Sequence, residues 1–369
     1  MIIGIPTEIK AQEYRISMIP SSVKELTGRG HRVLVQSGAG EGSNYADELY
    51  SAVGAEIVAS AEQVFEQCEL IVKVKEPQAS ELSMITEKHT LFTYLHLAAD
   101  KKLTEALLAT GCTAIAYETI EVNKRLPLLE PMSEIAGRMS AIIGAYYLAK
   151  HNGGRGVLLG GVPGVVPGRV VVIGGGTAGV NAARVATGIG AEVSILEVDL
   201  ERMRFLDIAM EGCHTIYSNE ANLADLLPRA DLVIGAVLVR GAKAPKLITR
   251  EMLKIMQTGS VFVDIAVDQG GCAETTRPTT HDDPTFYEEG VLHYCVANMP
   301  GAYARTSSQA LNNSTQHWTT MIADHGVAGA CKIQPDLLGG INCIKGKLTC
   351  PPVAEAYGIE ASDAKLLLG

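Results

Sequence analysis

A chain of 369 residues is long enough to form two domains, each with its own hydrophobic core. Apolar residues make up 47% of it and charged residues 20%, a composition typical of soluble globular proteins rather than of disordered or fibrous ones. The net charge of −10 comes without a basic stripe, so nucleic acid is not an expected partner.

The sequence shows no segment typical of secretion or of membrane insertion. The opening Met-Ile-Ile-Gly-Ile has no basic leader and only a short apolar run. The apolar stretch 156–168 has thirteen residues, rich in Gly and Pro, whereas a membrane span needs about 20. The eight cysteines are scattered and form no C-x-x-C pair. We expect reduced, buried thiols in a cytoplasmic protein, and neither a disulfide framework nor a zinc site.

The first 128 residues alternate between strand-like and helix-like stretches. Such alternation predicts a parallel sheet that is covered by helices on both faces. Ligands of such sheets lie beyond the carboxyl ends of the strands. The candidate strands are residues 2–5, 32–35, 70–74, 90–95 and 113–117, and the candidate helices include 21–27 and 103–109.

Four polar residues fall at or after the ends of these strands. Arg15 follows the first strand, Lys75 closes VKVK, His96 closes LFTYLH and Glu118 closes AIAYE. Together, the two cations and the histidine would form an anion site. Taken singly, Arg15 and Lys75 also fit solvated loop charges, His96 fits a core histidine, and Glu118 alone carries no assignment.

Residues 133–151 carry apolar side chains at helical spacing and end at Asn152-Gly153-Gly154. At 1.5 Å per residue this helix would be roughly 28 Å long. We interpret it as a hinge helix that leads the chain into a second domain.

The stretch 168–199 predicts a dinucleotide-binding unit. A β-branched run is followed by Gly174-Gly-Gly176-Thr-Ala-Gly179, a helix and a second strand that ends in Glu197. In a G-x-G-x-x-G motif the first glycine permits a tight turn, the second lets the backbone approach a pyrophosphate, and the third lets helix and strand pack closely. Glu197 lies twenty-one residues after Gly176, near the spacing at which a carboxylate meets the ribose 2′-hydroxyl of NAD. A βαβ unit with a glycine turn and no ligand is the alternative.

Further strands at 231–237, 260–265 and 292–296 continue the doubly wound pattern of this domain. Asp268 follows the second of them, and Val296–Met299 closes the third. A helix capped by Thr306 and ending at His325-Gly326 then leads back to the first domain, which the remaining residues complete.

Several separated motifs in one order resemble the alanine dehydrogenase family. They are GIPTEIKAQEYRIS, VKVKEP, YLHLA, PMSEIAGRMS, GGVPGV, GAVLVRGAKAPKLI, VDIAVDQGG and CVANMPGAYARTSS. The resemblance implies an α/β fold of two doubly wound domains, with a Rossmann NAD-binding domain (129–306) inserted into a substrate domain built from both termini (1–128 and 307–369). The implied reaction is the reversible oxidative deamination of L-alanine to pyruvate and ammonium with NAD. Members of the family are usually homo-hexamers, so the resemblance also implies a homo-oligomer.

By the same resemblance, Arg15 and Lys75 bind the substrate carboxylate, and His96 and Asp268 are the catalytic residues. A histidine can exchange protons with the pyruvate carbonyl and the carbinolamine. The residues matched to cofactor binding are Ser133, Gly174, Gly176, Thr177, Gly179, Glu197, Arg202, Ser218, Val237, Leu238, Ile265, Ala266, Val267, Asp268, Arg277, Val296, Ala297, Asn298 and Met299.

Two positions depart from the family pattern. Many relatives carry Asp where this chain has Glu197; the charge is kept, so we expect NAD rather than NADP. Some members have a magnesium site formed by a Glu and a His near the long C-terminal helix. Here His325 is present but Met321 takes the place of the Glu, so no metal is expected.

Three other functions remain open at this point. The NAD-binding subunit of proton-translocating transhydrogenase shares the APKLI motif, but usually has a longer loop before the strand at 231–237 and an amide in place of Asp268. A catalytically silent NAD-binding regulator would not need Arg15, Lys75, His96 and Asp268 together. A saccharopine dehydrogenase or another amino-acid dehydrogenase would need a larger substrate pocket.

Overall fold

The computed structural model describes residues 1–237 and 244–369 and divides them into two compact units. One unit comprises Met1–Met132 and Gly301–Gly369, and the other comprises Ser133–Pro300. The two divisions lie within a few residues of positions 128 and 306. One unit is therefore built from both ends of the chain and the other from its middle.

The helices and strands fall in three consecutive segments of the chain. The N-terminal segment has β1 (Ile2–Ile5), α1 (Pro20–Gly28), β2 (Arg32–Gln36), α2 (Asp47–Ser51), β3 (Glu56–Val58), α3 (Ala61–Gln67), β4 (Leu70–Val72), α4 (Ala79–Leu82), β5 (Thr90–Thr93), α5 (Lys101–Thr110) and β6 (Thr113–Ala116). The middle segment has α6 (Glu130–Tyr147), β7 (Arg169–Ile173), α7 (Thr177–Gly188), β8 (Glu192–Glu197), α8 (Leu200–Ala209), β9 (Cys213–Tyr217), α9 (Glu220–Leu226), β10 (Leu232–Gly235), α10 (Arg250–Lys254), β11 (Val261–Asp264), β12 (Thr285–Glu288) and β13 (Val291–Tyr294). The C-terminal segment has α11 (Ala304–Ile333), β14 (Ile341–Ile344), β15 (Lys347–Leu348), α12 (Pro351–Tyr357) and α13 (Ala364–Leu368).

Each unit contains one β-sheet, and the strands of the two sheets are connected in the same order. The first has the strand order β3-β2-β1-β4-β5-β6-β14-β15, and the second has β9-β8-β7-β10-β11-β13-β12. The order reverses between β1 and β4 in one sheet and between β7 and β10 in the other. In doubly wound sheets ligands bind in the crevice beyond the carboxyl ends of the strands at this reversal. The α/β, doubly wound prediction is confirmed.

The parallel pairing predicted for the strands of residues 1–128 is confirmed. Antiparallel strands that were not predicted lie at the edges of both sheets. Strands β14 and β15 pair antiparallel at one edge of the first sheet, and β12 pairs antiparallel with β13 at one edge of the second. Two-residue turns with positive φ join both hairpins: Glu289-Gly290 has φ of 49° and 80°, and Lys345-Gly346 has φ of 50° and 72°. Such turns match the twist of paired antiparallel strands.

The central strands are apolar along their whole length because both faces of the sheet are covered. In β7, Val170 and Val172 belong to one hydrophobic cluster, whereas Val171 and Ile173 belong to the cluster on the opposite face. The small side chains of α7, including the buried Ala182 and Ala186, let this helix lie close to the sheet.

Both long helices differ from their predicted bounds. Helix α6 begins at Glu130 and ends at Tyr147, and His151 lies in a separate 3₁₀ turn. Helix α11 breaks at Gly326, where φ is 66° and ψ is 170°, but helical structure continues to Ile333 beyond the predicted end. Within the described residues, no helix is both long and apolar enough to cross a membrane.

Candidate active site

The predicted substrate-side residues lie at the carboxyl edge of the first sheet. Arg15 is in the loop after β1, Lys75 is three residues past β4, and His96 is three residues past β5. These strands are consecutive neighbours in the sheet, on and beside the reversal point. The structure thus brings the three residues to one edge.

The backbone amide of each of these three residues donates to a glutamate. The amide of Arg15 donates to Glu13 Oε1 at 3.0 Å. That of Lys75 donates to Glu8 Oε2 at 3.3 Å, and the amide before it, of Val74, donates to Glu8 Oε1 at 2.6 Å. That of His96 donates to Glu118 Oε1 at 2.6 Å.

Arg15 is a buried cation. Its side chain is 2% exposed, and its Nε donates to Glu13 Oε1 at 2.6 Å while Nη1 lies 3.0 Å from the sulfur of Met132. Burial lowers the pKa of Arg15, but the Glu13 carboxylate outweighs burial and raises the pKa above its usual value. The guanidinium therefore stays charged and is held in one orientation.

A second buried charge cluster fixes the end of β4. Lys73 Nζ lies 2.7 Å from Glu81 and 3.2 Å from Glu8, and all three side chains are at most 3% exposed. Burial lowers the pKa of Lys73, but the two carboxylates outweigh it and raise the pKa. Since Glu8 also accepts from the backbone around Lys75, this cluster sets the position from which Lys75 extends.

The imidazole of His96 is partly exposed and lies beside an acid. Its Nδ1 is 3.8 Å from Glu76 Oε2, which is ion-pair distance but longer than a hydrogen bond. Burial raises the pKa of Glu76, but His96 and the ammonium of Lys10 outweigh it and lower the pKa to about 2. Glu76 is therefore a carboxylate near neutral pH.

The glycine turn of the second unit has the geometry that its motif predicts. Gly174 has φ of 101°, and a Cβ on it would lie 2.7 Å from the carbonyl oxygen of Ala236. A Cβ on Gly179 would lie 1.8 Å from the carbonyl oxygen of Gly174, so only glycine allows α7 to start this close to the turn. A Cβ on Gly176, by contrast, meets no atom of residues 1–237 or 244–369 within 4 Å, so these residues leave the space beside the start of α7 open.

Glu197 closes this turn from the end of β8. Its Oε2 accepts from the amide of Gly175 at 2.9 Å, and its Oε1 accepts from the amides of Val198 and Asp199 at 2.7 and 3.0 Å. Arg202 adds a bond from its Nε to the carbonyl oxygen of Gly175 at 2.7 Å. A carboxylate has about four acceptor positions. The three amides of the described residues occupy three of these positions, which leaves one acceptor position on Oε2.

Most other predicted cofactor residues lie just after the carboxyl ends of strands in the sheet of the second unit. Ser218 follows β9, Val237 follows β10, Ile265–Asp268 follow β11, and Val296–Met299 follow β13. Ser133 lies in the first turn of α6, and the Arg277 guanidinium stacks on the Phe286 ring at 4.0 Å. Leu238 lies outside the described residues.

Asp264 holds the segment that carries Asp268. Its buried carboxylate accepts from the amides of Ala266 and Cys272 at 3.0 and 2.9 Å and from the Thr276 hydroxyl at 2.6 Å. Burial raises the pKa of Asp264 despite these bonds. Asp268 itself is exposed at the end of the sheet. The sequence interpretation missed Asp264 because it lies inside the predicted strand 260–265, whereas the strand in the structure ends at Asp264.

Family models match both parts of the chain. The model described as "Alanine dehydrogenase/PNT, N-terminal domain" matches residues 4–136, and the one described as "Alanine dehydrogenase/PNT, C-terminal domain" matches residues 140–351. The chain belongs to the alanine dehydrogenase/PNT family. The resemblance stated from the sequence motifs is thereby confirmed.

Members of the alanine dehydrogenase/PNT family resemble this chain over its full length. It is 53% identical over 370 residues to the alanine dehydrogenase of Mycolicibacterium smegmatis and 52% identical over 371 residues to that of Methanococcus maripaludis, with 100% of each chain covered. A solved structure titled L-alanine dehydrogenase superposes with a TM-score of 0.93 at 48% identity, covering 97% of this chain and 99% of that one. A transhydrogenase structure from Sinorhizobium meliloti gives 0.81 at 25% identity, covering 95% and 99%.

The Glu and His pair that the family resemblance raised as a metal site is Met321 and His325 in this chain. His325 is exposed, and Met321 is 6% exposed in the buried face of α11. Within the part of the chain that the structure describes, no group of three or more His, Cys, Asp or Glu side chains is arranged to hold a metal ion. All eight cysteines are free thiols, and seven of them are buried.

Proposed function

We propose that this chain is an NAD-dependent alanine dehydrogenase, which interconverts L-alanine and pyruvate plus ammonium. The observation that carries the proposal is the match, over the whole chain at about half identity, to proteins named alanine dehydrogenase. Arg15, Lys75 and His96 at one edge of a doubly wound sheet support it. Both substrates carry a carboxylate that two cations can bind.

Arg15 and Lys75 orient the substrate. A guanidinium held by Glu13 and an ammonium whose backbone is held by Glu8 present donors from fixed positions. Binding the carboxylate at two points restricts its rotation, which lowers the entropic cost of reaching the reacting geometry.

His96 moves the proton. Its imidazole can donate to the keto oxygen of pyruvate when ammonia adds, and can take the proton back in the reverse direction. Asp268, exposed at the carboxyl edge of its own sheet, is assigned to hold ammonia or water and to assist this transfer. Both assignments rest on the family resemblance.

The second unit fits a dinucleotide. The space that the described residues leave open beside Gly176 and the amides at the start of α7 suit a pyrophosphate, since a helix N-terminus attracts anions. The acceptor position left on Glu197 suits one ribose hydroxyl, whereas a 2′-phosphate would be repelled; we therefore propose NAD. When bound, NAD supplies the hydride acceptor. The remaining predicted cofactor residues, Ser133, Arg202, Ser218, Val237, Leu238, Arg277 and the segments 265–268 and 296–299, are proposed to line this site.

We further propose a cytoplasmic homo-oligomer, a hexamer by family resemblance, with no nucleic-acid or membrane partner. The eight free cysteines support a reducing compartment, because buried thiols persist without pairing there. Size-exclusion chromatography with light scattering measures the oligomer directly.

The test is NADH oxidation with pyruvate and ammonium, followed by a panel of 2-keto acids of increasing size. We expect turnover with pyruvate, dependence on ammonium, and lower activity as the side chain grows. Binding of NADH without any turnover would indicate a regulator instead. Activity that requires a second nucleotide and a membrane partner would indicate a transhydrogenase, for which the 25% identity is the weaker match.

A further inference from the structure

His96 has a backbone conformation that a residue with a Cβ rarely adopts. Its φ is 50° and its ψ is 34°, in the left-handed helical region, directly before the 3₁₀ turn Leu97–Ala99. Such a conformation persists only when the surrounding structure holds it.

The contacts of the imidazole ring are loose. The ring is 40% exposed, its Nδ1 is 3.8 Å from Glu76, and its centroid is 5.8 Å from that of Tyr94. Because neither of these contacts with the described residues is short, the direction in which the ring points depends on the backbone of His96 itself.

Glu118 holds that backbone. It lies two residues past β6, the neighbour of β5, and the register pairs Thr93 with Ala116. Its Oε1 accepts from the amide of His96 at 2.6 Å and from that of Leu95 at 3.0 Å. Within residues 1–237 and 244–369, these two amides are the hydrogen-bond partners of the Glu118 carboxylate. Hydrogen bonds from amides to a carboxylate are stronger than neutral ones.

We infer that Glu118 is a positioning residue for His96: its carboxylate fixes the left-handed backbone of His96 so that the imidazole is presented at the carboxyl edge of the sheet. The inference rests on the proposed function, which gives His96 its role in proton transfer. Glu118 need not touch substrate or cofactor, so its loss should lower kcat and leave NADH binding unchanged.

The kinetic test is a double-mutant cycle with E118A, H96A and the double variant. We expect E118A to lower kcat by about 10- to 100-fold, since small misplacements of a reacting group have effects of this size. H96A and H96A/E118A should have equal kcat, because Glu118 has nothing left to position. E118Q, which keeps an acceptor oxygen for the amides, should stay within about threefold of the wild type. E105A, which removes an exposed carboxylate of α5, is the matched control and should match the wild type.

Amide hydrogen exchange provides a readout that does not depend on activity. The His96 amide should exchange at least about tenfold faster in E118A than in the wild type, and E118Q should restore its protection. Equal protection in E118A, or a further loss of kcat when E118A is added to H96A, would overturn the inference. A wild-type protein without alanine-dependent turnover but with Glu118-dependent protection of His96 would instead refute the proposed function alone.

Discussion

Replacing Gly176 by Ser should impair dinucleotide binding without affecting the stability of the fold. Gly176 is the N-cap of α7, with φ of −70° and ψ of −169°, and a Cβ there meets no described atom within 4 Å. Serine is a favourable N-cap whose hydroxyl accepts from an amide of the first helical turn. The free energy of unfolding should therefore stay within about 0.5 kcal/mol of the wild type, because glycine and serine caps differ by only a few tenths.

The same substitution should weaken the binding of NAD. Its side chain would occupy the open space and its hydroxyl would compete for the amides that a pyrophosphate needs. We expect the Kd for NADH, measured by fluorescence titration, to rise about 10- to 100-fold, which is about 1.4 to 2.7 kcal/mol. Wild-type affinity in G176S would refute the assignment of the start of α7 as the pyrophosphate site.

Two other glycines of the same helix are controls. A Cβ on Gly179 would lie 1.8 Å from a backbone oxygen, so G179A should lower stability by roughly 2 kcal/mol or more. A Cβ on Gly188, at the end of the helix, lies more than 4 Å from every other group that the structure describes around it, so G188A should leave both stability and NADH binding close to wild type. Urea denaturation without ligand measures the first quantity.

Four further substitutions test other parts of the two sites. H96A should lower kcat by about 10²- to 10⁴-fold with an unchanged Kd for NADH, and unchanged turnover would remove His96 from the reaction. E197A should weaken NAD, reduce the preference for NAD over NADP and lower the Tm, since three amides lose their acceptor; an unchanged preference would refute the ribose assignment. The pKa of Glu76 is lowered from 4.5 to about 2, so its ionised form stabilises the fold above pH 4.5 and that contribution is lost as the pH falls toward 2. E76Q should thus be less stable than the wild type by up to ~3 kcal/mol at pH 7, with a gap that closes between pH 4.5 and 2; a gap independent of pH would contradict this. D264A should lower both kcat and the free energy of unfolding, the latter by roughly 3 kcal/mol, because it leaves buried amides without an acceptor; native stability by urea denaturation would show that Asp264 does not hold its loop.

The positions of the candidate site residues were largely predictable because parallel strands buried on both faces are visible as apolar runs. Where such a run ends in a polar residue, as at Lys75 and His96, the residue lies at the carboxyl edge of the sheet. The glycine motif was predictable for the same reason, since it joins two such runs.

The glutamates that organise these residues were not predictable from the sequence alone. Glu118 meets the amide of a residue 22 positions earlier, and Glu8 meets that of a residue 67 positions later. Such pairs depend on the register of neighbouring strands, which no local sequence pattern indicates. The antiparallel edge strands did have a local signal, the two-residue turns ending in Gly290 and Gly346, but the strands beside them are short.

The shared winding of the two sheets bears on how many nucleotides each chain takes up. In the second unit only three residues separate β7 from α7, so the amides at the start of α7 lie beside the carboxyl end of β7. In the first unit fourteen residues separate β1 from α1, and no glycine occurs among residues 6–27. The crevice at the corresponding place in the first sheet presents cations that carboxylates hold in position, whereas the crevice in the second sheet presents backbone amides. Isothermal titration with NADH should accordingly give a stoichiometry of one nucleotide per chain, although the chain contains two sheets of the same design.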